Sequence, residues 1–208
     1  MILMSLAIVA VGFISNAQRA DNRGKFVFGL KVGANNSNVY DSQGEEFEAR
    51  PKIGFATGVF LAIPIFKAIG AQPEVLFSQK GFRATGRILG GPYEFSRTTS
   101  YIDVPLFFAL KPAEFLTLLA GPQFSYLLHQ RDEFKNVTSS IAQEKEFEND
   151  NVRKNTVGFA MGLDINIRHI VLGARAAWDV MDNNGNGTST TPRYKNVWLQ
   201  GTLGYRFY

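Results

Sequence analysis

The chain contains no cysteine, only two histidines, and no block of charge of either sign. Each absence excludes a class of function. Without cysteine there is no disulfide framework and no thiol chemistry. The net charge of +4 is spread over interleaved basic and acidic residues, so no Lys/Arg run offers a footprint for nucleic acid. Long hydrophobic runs are missing as well. Beyond the N-terminus no uninterrupted apolar stretch approaches the roughly 20 residues that a membrane-spanning helix needs, although 45% of the chain is apolar.

What the sequence has instead is a two-residue rhythm. In the clearest segment Val157, Phe159, Met161, Leu163, Ile165 and Ile167 alternate with Gly158, Ala160, Gly162, Asp164 and Asn166. Period two is the mark of a strand whose faces meet different surroundings. The same alternation returns over about 26–35, 52–63, 69–80, 101–111, 116–126, 170–179 and 197–207, eight segments in all. The oily faces carry no Lys or Arg. The opposite faces carry Lys31, Lys80, Arg175 and Arg206 with Glu74, Asp103, Asp164 and Asp179.

The connections discriminate between architectures. Those near Phe66, Pro112 and Arg168-His169 are short, whereas 38–51, 83–99, 129–155 and 180–195 are long and polar. Short turns alternating with long connections are the pattern of an up-and-down barrel threading a bilayer. A bare Lys or Arg at mid-bilayer costs about 2 to 4 kcal/mol on the lipid face of such a barrel, so the charged faces must point inward. The fold expected is all-β: an eight-stranded antiparallel up-and-down transmembrane β-barrel. Eight strands leave an interior just wide enough to be filled by side chains, so the eight inward charges are expected to form a structural ion-pair network in a packed lumen. Phe26, Phe66, Phe115, Tyr205 and Phe207 at one end, with Tyr126 and Trp178 at the other, suit the interfacial aromatic girdles of these barrels.

Ile2 to Ile14 is a short apolar stretch closed by Ser15-Asn16-Ala17, with small residues where a signal peptidase reads. The expected organisation is therefore a signal peptide over 1–17, cleaved after Ala17, and an outer-membrane barrel domain over 18–208. No Lys or Arg immediately follows Met1, which departs from the usual signal.

The segment Gln72-Pro73-Glu74-Val75-Leu76-Phe77-Ser78-Gln79-Lys80-Gly81 resembles the third-strand signature of the PorT-like outer-membrane β-barrel family of Bacteroidota. Gly29-Leu30-Lys31-Val32-Gly33, Tyr101-Ile102-Asp103-Val104-Pro105-Leu106, Ala120-Gly121-Pro122 and the ending Gly204-Tyr205-Arg206-Phe207-Tyr208 agree with it in order. The resemblance implies an eight-stranded barrel delivered by the outer-membrane assembly machinery. It implies little biochemistry. Such barrels commonly end on an aromatic residue in phase with the lipid face; here that phase runs through Tyr205 and Phe207 and leaves Tyr208 one residue out.

Motifs that could carry chemistry are weak. Asp182-Asn183-Asn184-Gly185-Asn186-Gly187 opens like a calcium loop, but the twelfth position, where a bidentate Glu belongs, is Arg193, and Asn-Gly pairs form turns. Asp132, Glu133, Glu144, Glu146, Glu148 and Asp150 make one long connection acidic; the plain reading is a solvated surface. His129 and His169 fall at opposite barrel ends and cannot share a metal. Ser125, His129 and Asp132 invite a hydrolase reading, yet parity turns Ser125 inward and nothing suggests an oxyanion hole. The expectation is no enzyme activity, no catalytic, metal or cofactor site and no cofactor. Expected partners are outer-membrane lipid and lipopolysaccharide, the assembly machinery, and a protein engaged through the long loops, with no nucleic acid. The function expected is surface binding or an envelope structural or assembly role. The alternative is a soluble periplasmic lipocalin-like carrier of a small apolar ligand, which would need an apolar lumen and a polar exterior.

Overall fold

The structure, a computed structural model, describes residues 21–43, 48–88, 91–136, 139–145, 153–183 and 193–207. The signal segment and its cleavage site at Ala17 lie outside them. Nine strands follow one another without a helix among the described residues: β1 (Val27–Gln43), β2 (Glu48–Pro64), β3 (Ile69–Ile88), β4 (Gly91–Ala113), β5 (Leu116–Asn136), β6 (Ser139–Lys145), β7 (Asn155–Ile167), β8 (Ile170–Asp179) and β9 (Arg193–Phe207). All pair antiparallel. β6 pairs only with β5, and the other eight close a ring in which β4 joins β5, β5 joins β7, and β9 returns to β1. Closure leaves no open sheet edge among those eight, the condition for a sheet to sit in hydrocarbon.

Three turns at one end are short, and Arg168 adopts φ 51° in the Arg168-His169 turn, the left-handed geometry that tight hairpins demand. Around the middle of the wall, Phe28, Leu30, Val32, Val75, Leu106, Phe108, Phe124, Met161, Leu172, Leu199 and Leu203 all stand exposed. A continuous apolar ring of this kind would be untenable in water and is the surface a bilayer covers. Their strand neighbours point inward and are buried, among them Lys31, Gln72, Glu74, Lys80, Asp103, Asp164 and Arg175. An apolar exterior around a charged interior is the reverse of a lipocalin-type carrier.

The polar stretches expected as loops are in large part strand. β3 and β4 stay paired as far as Ile88↔Gly91, β4 and β5 as far as Tyr93↔Asn136, and β6 adds a further strand on β5. The barrel wall therefore continues beyond the apolar belt. Periodicity could not show this, because outside the bilayer the outward face no longer has to be oily. Inside this extension Phe82, Ala84, Val39 and Tyr194 form a buried cluster with Phe95 and Ala49 packed against it.

Candidate functional site

The lumen is filled in alternating polar and apolar tiers, each set by strand parity. At the short-turn end Val27, Phe60, Ala62 and Val171 pack together. The Phe60 ring occupies the space over Gly29, where a Cβ would lie 2.2 Å from Phe60 Cζ; a side chain there would evict the ring.

Above that tier sits an ionic cluster. Lys31 Nζ contacts Glu74 Oε1 at 2.7 Å, and Arg175 Nη2 lies 3.4 Å from the same oxygen and 2.8 Å from Asp164 Oδ1. The last is a charge contact outside hydrogen-bonding geometry. Gln72 Nε2 bridges the carboxylates, donating to Glu74 Oε1 at 3.0 Å and Asp164 Oδ2 at 3.1 Å. Two cations against two carboxylates leave this tier neutral, which is how buried charge is tolerated. The next tier is apolar: Phe107, Ala109, Leu119, Ala160, Ala177 and Trp198, with the Arg175 guanidinium 5.3 Å from the centre of the Phe107 ring.

Lys80 dominates the fourth tier. Its ammonium lies 3.0 Å from Asp103 Oδ1, 3.7 Å from the centre of the Trp198 ring and 4.7 Å from that of Tyr101. Around it Asn35 Nδ2 donates to Ser78 Oγ at 2.8 Å and Gln200 Nε2 donates to Asn35 Oδ1 at 2.9 Å. Asn196 Nδ2 reaches Asp179 Oδ2 at 2.6 Å, while Asp179 Oδ1 finds no hydrogen-bond partner among the protein groups. Still higher, outside the belt, Arg97 grips Asp132 through Nε at 2.7 Å and Nη2 at 2.8 Å and donates to Tyr194 Oη at 3.1 Å. This bidentate contact locks β4 to β5 in the extension.

Of the eight charges expected in the lumen, the structure brings Lys31, Glu74, Asp164 and Arg175 into one cluster and Lys80 and Asp103 into a second. Asp179 is buried beside Asn196. Arg206 stands apart at the short-turn rim, where its Nε donates to Arg168 O. Three cations, Lys31, Lys80 and Arg175, thus face four carboxylates inside the membrane-spanning lumen. The Arg97–Asp132 pair with Tyr194 and Phe82 was missed by sequence reasoning. A signal existed: Phe82 and Ala84 continue the inward parity of Lys80, and Tyr194 that of Trp198.

At the short-turn mouth, residues 21–25 form a strap. Arg23 Nη1 donates to Lys111 O and Pro112 O, both at 3.4 Å, Lys111 Nζ donates to Arg23 O at 3.2 Å, and Asp21 pairs with Lys67 at 2.9 Å. Beneath it Gln72, Lys111, Thr117, Asn166 and Arg206, with Asn22 of the strap itself, line part of a vestibule with about 30 Å³ of room for water.

The hydrolase grouping does not assemble. Ser125 Oγ sits inside the lumen receiving Lys80 Nζ at 3.5 Å and Gln123 Nε2 at 3.3 Å, and Asp132 is taken by Arg97 and Gln130. Of the calcium-like loop, Asp182 stands 4.0 Å from Lys195 and Asn183 Oδ1 accepts from Tyr194 N at 3.0 Å. Residues 184–192 lie outside the described residues, as do Glu146, Glu148 and Asp150.

A family profile described as outer membrane protein beta-barrel domain matches residues 16–183. Among solved structures, Neisserial surface protein A is similar over 86% of this chain and 97% of its own, with a TM-score of 0.50 and 11% identity. The attachment invasion locus protein Ail of Yersinia pestis, in complex with the heparin analogue sucrose octasulfate, is similar over 88% and 99%, with a TM-score of 0.49 and 16% identity. No curated protein matches the chain.

Proposed function

The chain belongs to the outer membrane protein β-barrel family, and from that premise we propose that it is a closed-lumen outer-membrane protein that works through the extracellular end of its wall, as a surface binding module. The observation that carries this is the division of labour along the barrel. Within the bilayer every tier is filled, by the Lys31–Glu74–Arg175–Asp164 cluster, the Phe107–Trp198 layer and the Lys80–Asp103 pair. A lumen packed in this way spends its inward residues on holding the wall together. The extension of β3, β4, β5 and β6 beyond the belt is paired strand that anchoring in lipid does not require. Rigid strand presents side chains in a fixed pattern, which suits recognition better than a mobile loop. The segment Gln72–Gly81 supports a narrower, PorT-like affiliation. The polar lumen and oily exterior speak against the carrier reading.

Two measurements test the proposal. Detergent-extracted protein from the outer-membrane fraction should run as a compact, faster band until heated. Replacing residues 134–152 by a flexible Gly-Ser linker of about ten residues, enough to cover the roughly 20 Å from Glu133 back to Arg153, should leave that heat shift intact and abolish crosslinks formed at the surface of whole cells. Crosslinks that survive the replacement would move the working surface to the barrel wall, and the protein to an envelope structural role.

A further inference from the structure

The vestibule at the short-turn mouth contains a cation with no carboxylate of its own. Lys111 turns inward near the end of β4 and is only 7% exposed. Its ammonium donates to Arg23 O at 3.2 Å, and among the described residues no carboxylate comes within ion-pair reach of it. The like charge of Arg206 bears on it instead. Two carboxylates border the same space, but both act elsewhere. Asp164 is held by Arg175 at 2.8 Å and by Gln72 at 3.1 Å, and Glu114 acts on Arg23 of the strap. An ammonium has three N–H groups to satisfy, and a buried charge without a counter-charge is costly.

The space beside Lys111 has two kinds of wall. Its inner floor is apolar, formed by Val27, Phe60 and Ala62 of the first tier. Its sides are polar. Thr117 Oγ1 accepts from Asn166 Nδ2 at 3.1 Å, and its own proton is spent on no bond among the described residues, so it can donate to a ligand. Asn22 Oδ1, from the strap, is buried and meets no donor; turning that amide over keeps its shape and presents its NH₂ group in place of the oxygen. The room of about 30 Å³ takes about two or three water-sized groups, at about 10 to 15 Å³ each. That suits the two oxygens of a carboxylate with a short carbon end, and is too small for the four oxygens of phosphate. The strap closes the entry, through Arg23 Nη1 on Lys111 O and Pro112 O and through Asp21 on Lys67.

We propose that this vestibule is a binding site for a small monovalent carboxylate, of the size of formate or acetate, entering from the periplasmic side. Lys111 Nζ and Thr117 Oγ1 take the carboxylate oxygens, the Asn22 amide closes over them, and the carbon end lies against Phe60 and Val27. The ligand supplies the charge that the buried ammonium lacks. It also ties the strap to the barrel, because Asn22 belongs to one and Lys111 to the other. The pocket is at the opposite end from the surface proposed above for recognition, and only the compartment it opens to rests on the outer-membrane reading.

The test uses the full-length barrel folded in detergent, with acetate, acetamide and inorganic phosphate as probes at neutral pH and constant ionic strength. Saturation-transfer NMR from the aromatic protons to the acetate methyl reads contact with Phe60. Acetate should give saturable transfer. Acetamide has the same shape without the charge and should bind about tenfold more weakly, and phosphate should not displace acetate. Lys111→Met should keep the heat shift and weaken acetate about tenfold. Where that variant gives no compact band, Thr117→Val, which keeps the ammonium, should weaken acetate about threefold. Absence of saturable transfer, equal binding of acetamide, unchanged affinity in the folded variants, or displacement by phosphate would each overturn the proposal. A wild-type barrel with no heat shift would instead overturn the outer-membrane placement from which the periplasmic entry follows.

Discussion

Removing Lys80 is the sharpest perturbation of the lumen. Its side chain is fully enclosed and sits 3.0 Å from Asp103, over the rings of Trp198 and Tyr101. Substituting Lys80→Met keeps the stem and deletes the charge, stranding Asp103 in a dry interior and leaving Asp179, already short of one hydrogen bond, without a nearby cation. Breaking a buried pair from one side costs about 3 to 5 kcal/mol, and the second carboxylate puts this case at the upper end. Removing both partners should be far cheaper, because no charge is then left unpaired. The K80M/D103N variant should recover most of the loss, and adding Asp179→Asn should return the barrel to within about 1 kcal/mol of the wild type. Urea unfolding in lipid vesicles, followed by the gel shift and by tryptophan emission, measures all three. Trp198 reports directly, since the ammonium lies against its ring. If K80M costs under about 1 kcal/mol, or if D103N restores nothing, the pair is not coupled and the reading of Lys80 as the counter-ion of this tier fails.

Two further tests are narrower. Gly29→Ala places a methyl 2.2 Å from the Phe60 ring and 2.8 Å from Tyr205 O; overpacking of this kind costs about 1 to 3 kcal/mol, and Phe60→Leu should relieve the ring's share while the backbone contact remains, so two fully additive losses in urea titration would contradict the packing. At the short-turn mouth, Arg23 first and then Lys67 hold the Asp21 carboxyl well below its ordinary range. A depressed carboxyl contributes fully above its unfolded pKa of about 4 and loses that contribution only as pH falls through the lower folded value. Because the chain lacks cysteine, a single spin label at Gly24→Cys can follow the strap; its mobility should not change between pH 7 and 5, and loosening within that window would refute the latch.

The sequence revealed the transmembrane wall well because lipid and lumen impose opposite demands on neighbouring residues. Val157 to Ile167 could be assigned face by face with no other information. It stopped being legible where the lipid stopped: Arg83 and Ser96 are as polar as a loop, yet they lie in paired strand. Parity told which charges turn inward and nothing about their partners. That Glu74 receives both Lys31 and Arg175 depends on the ring closing, which brings β8 across the lumen to β3. Arg206 shows the same limit from the other side. Its parity resembles that of Thr202 and Gly204, but it falls at the last turn of the wall, where height along the strand decides its surroundings and alternation is silent.

The seam between β1 and β9 has a consequence for how the molecule comes into being. Phe28 pairs with Phe207 and their rings stack at 5.9 Å between centroids, so the first strand made must wait for the last. Until then both edges carry unpaired backbone groups that water tolerates and hydrocarbon does not. Contacts this distant along the chain form late and slowly, and the waiting intermediate is a sticky open sheet. Shortening the chain from its C-terminal end therefore cannot yield a slightly weaker barrel. It yields a sheet with two edges, competent neither in water nor in lipid, and the cell must shelter the chain through the whole interval between its first strand and its last.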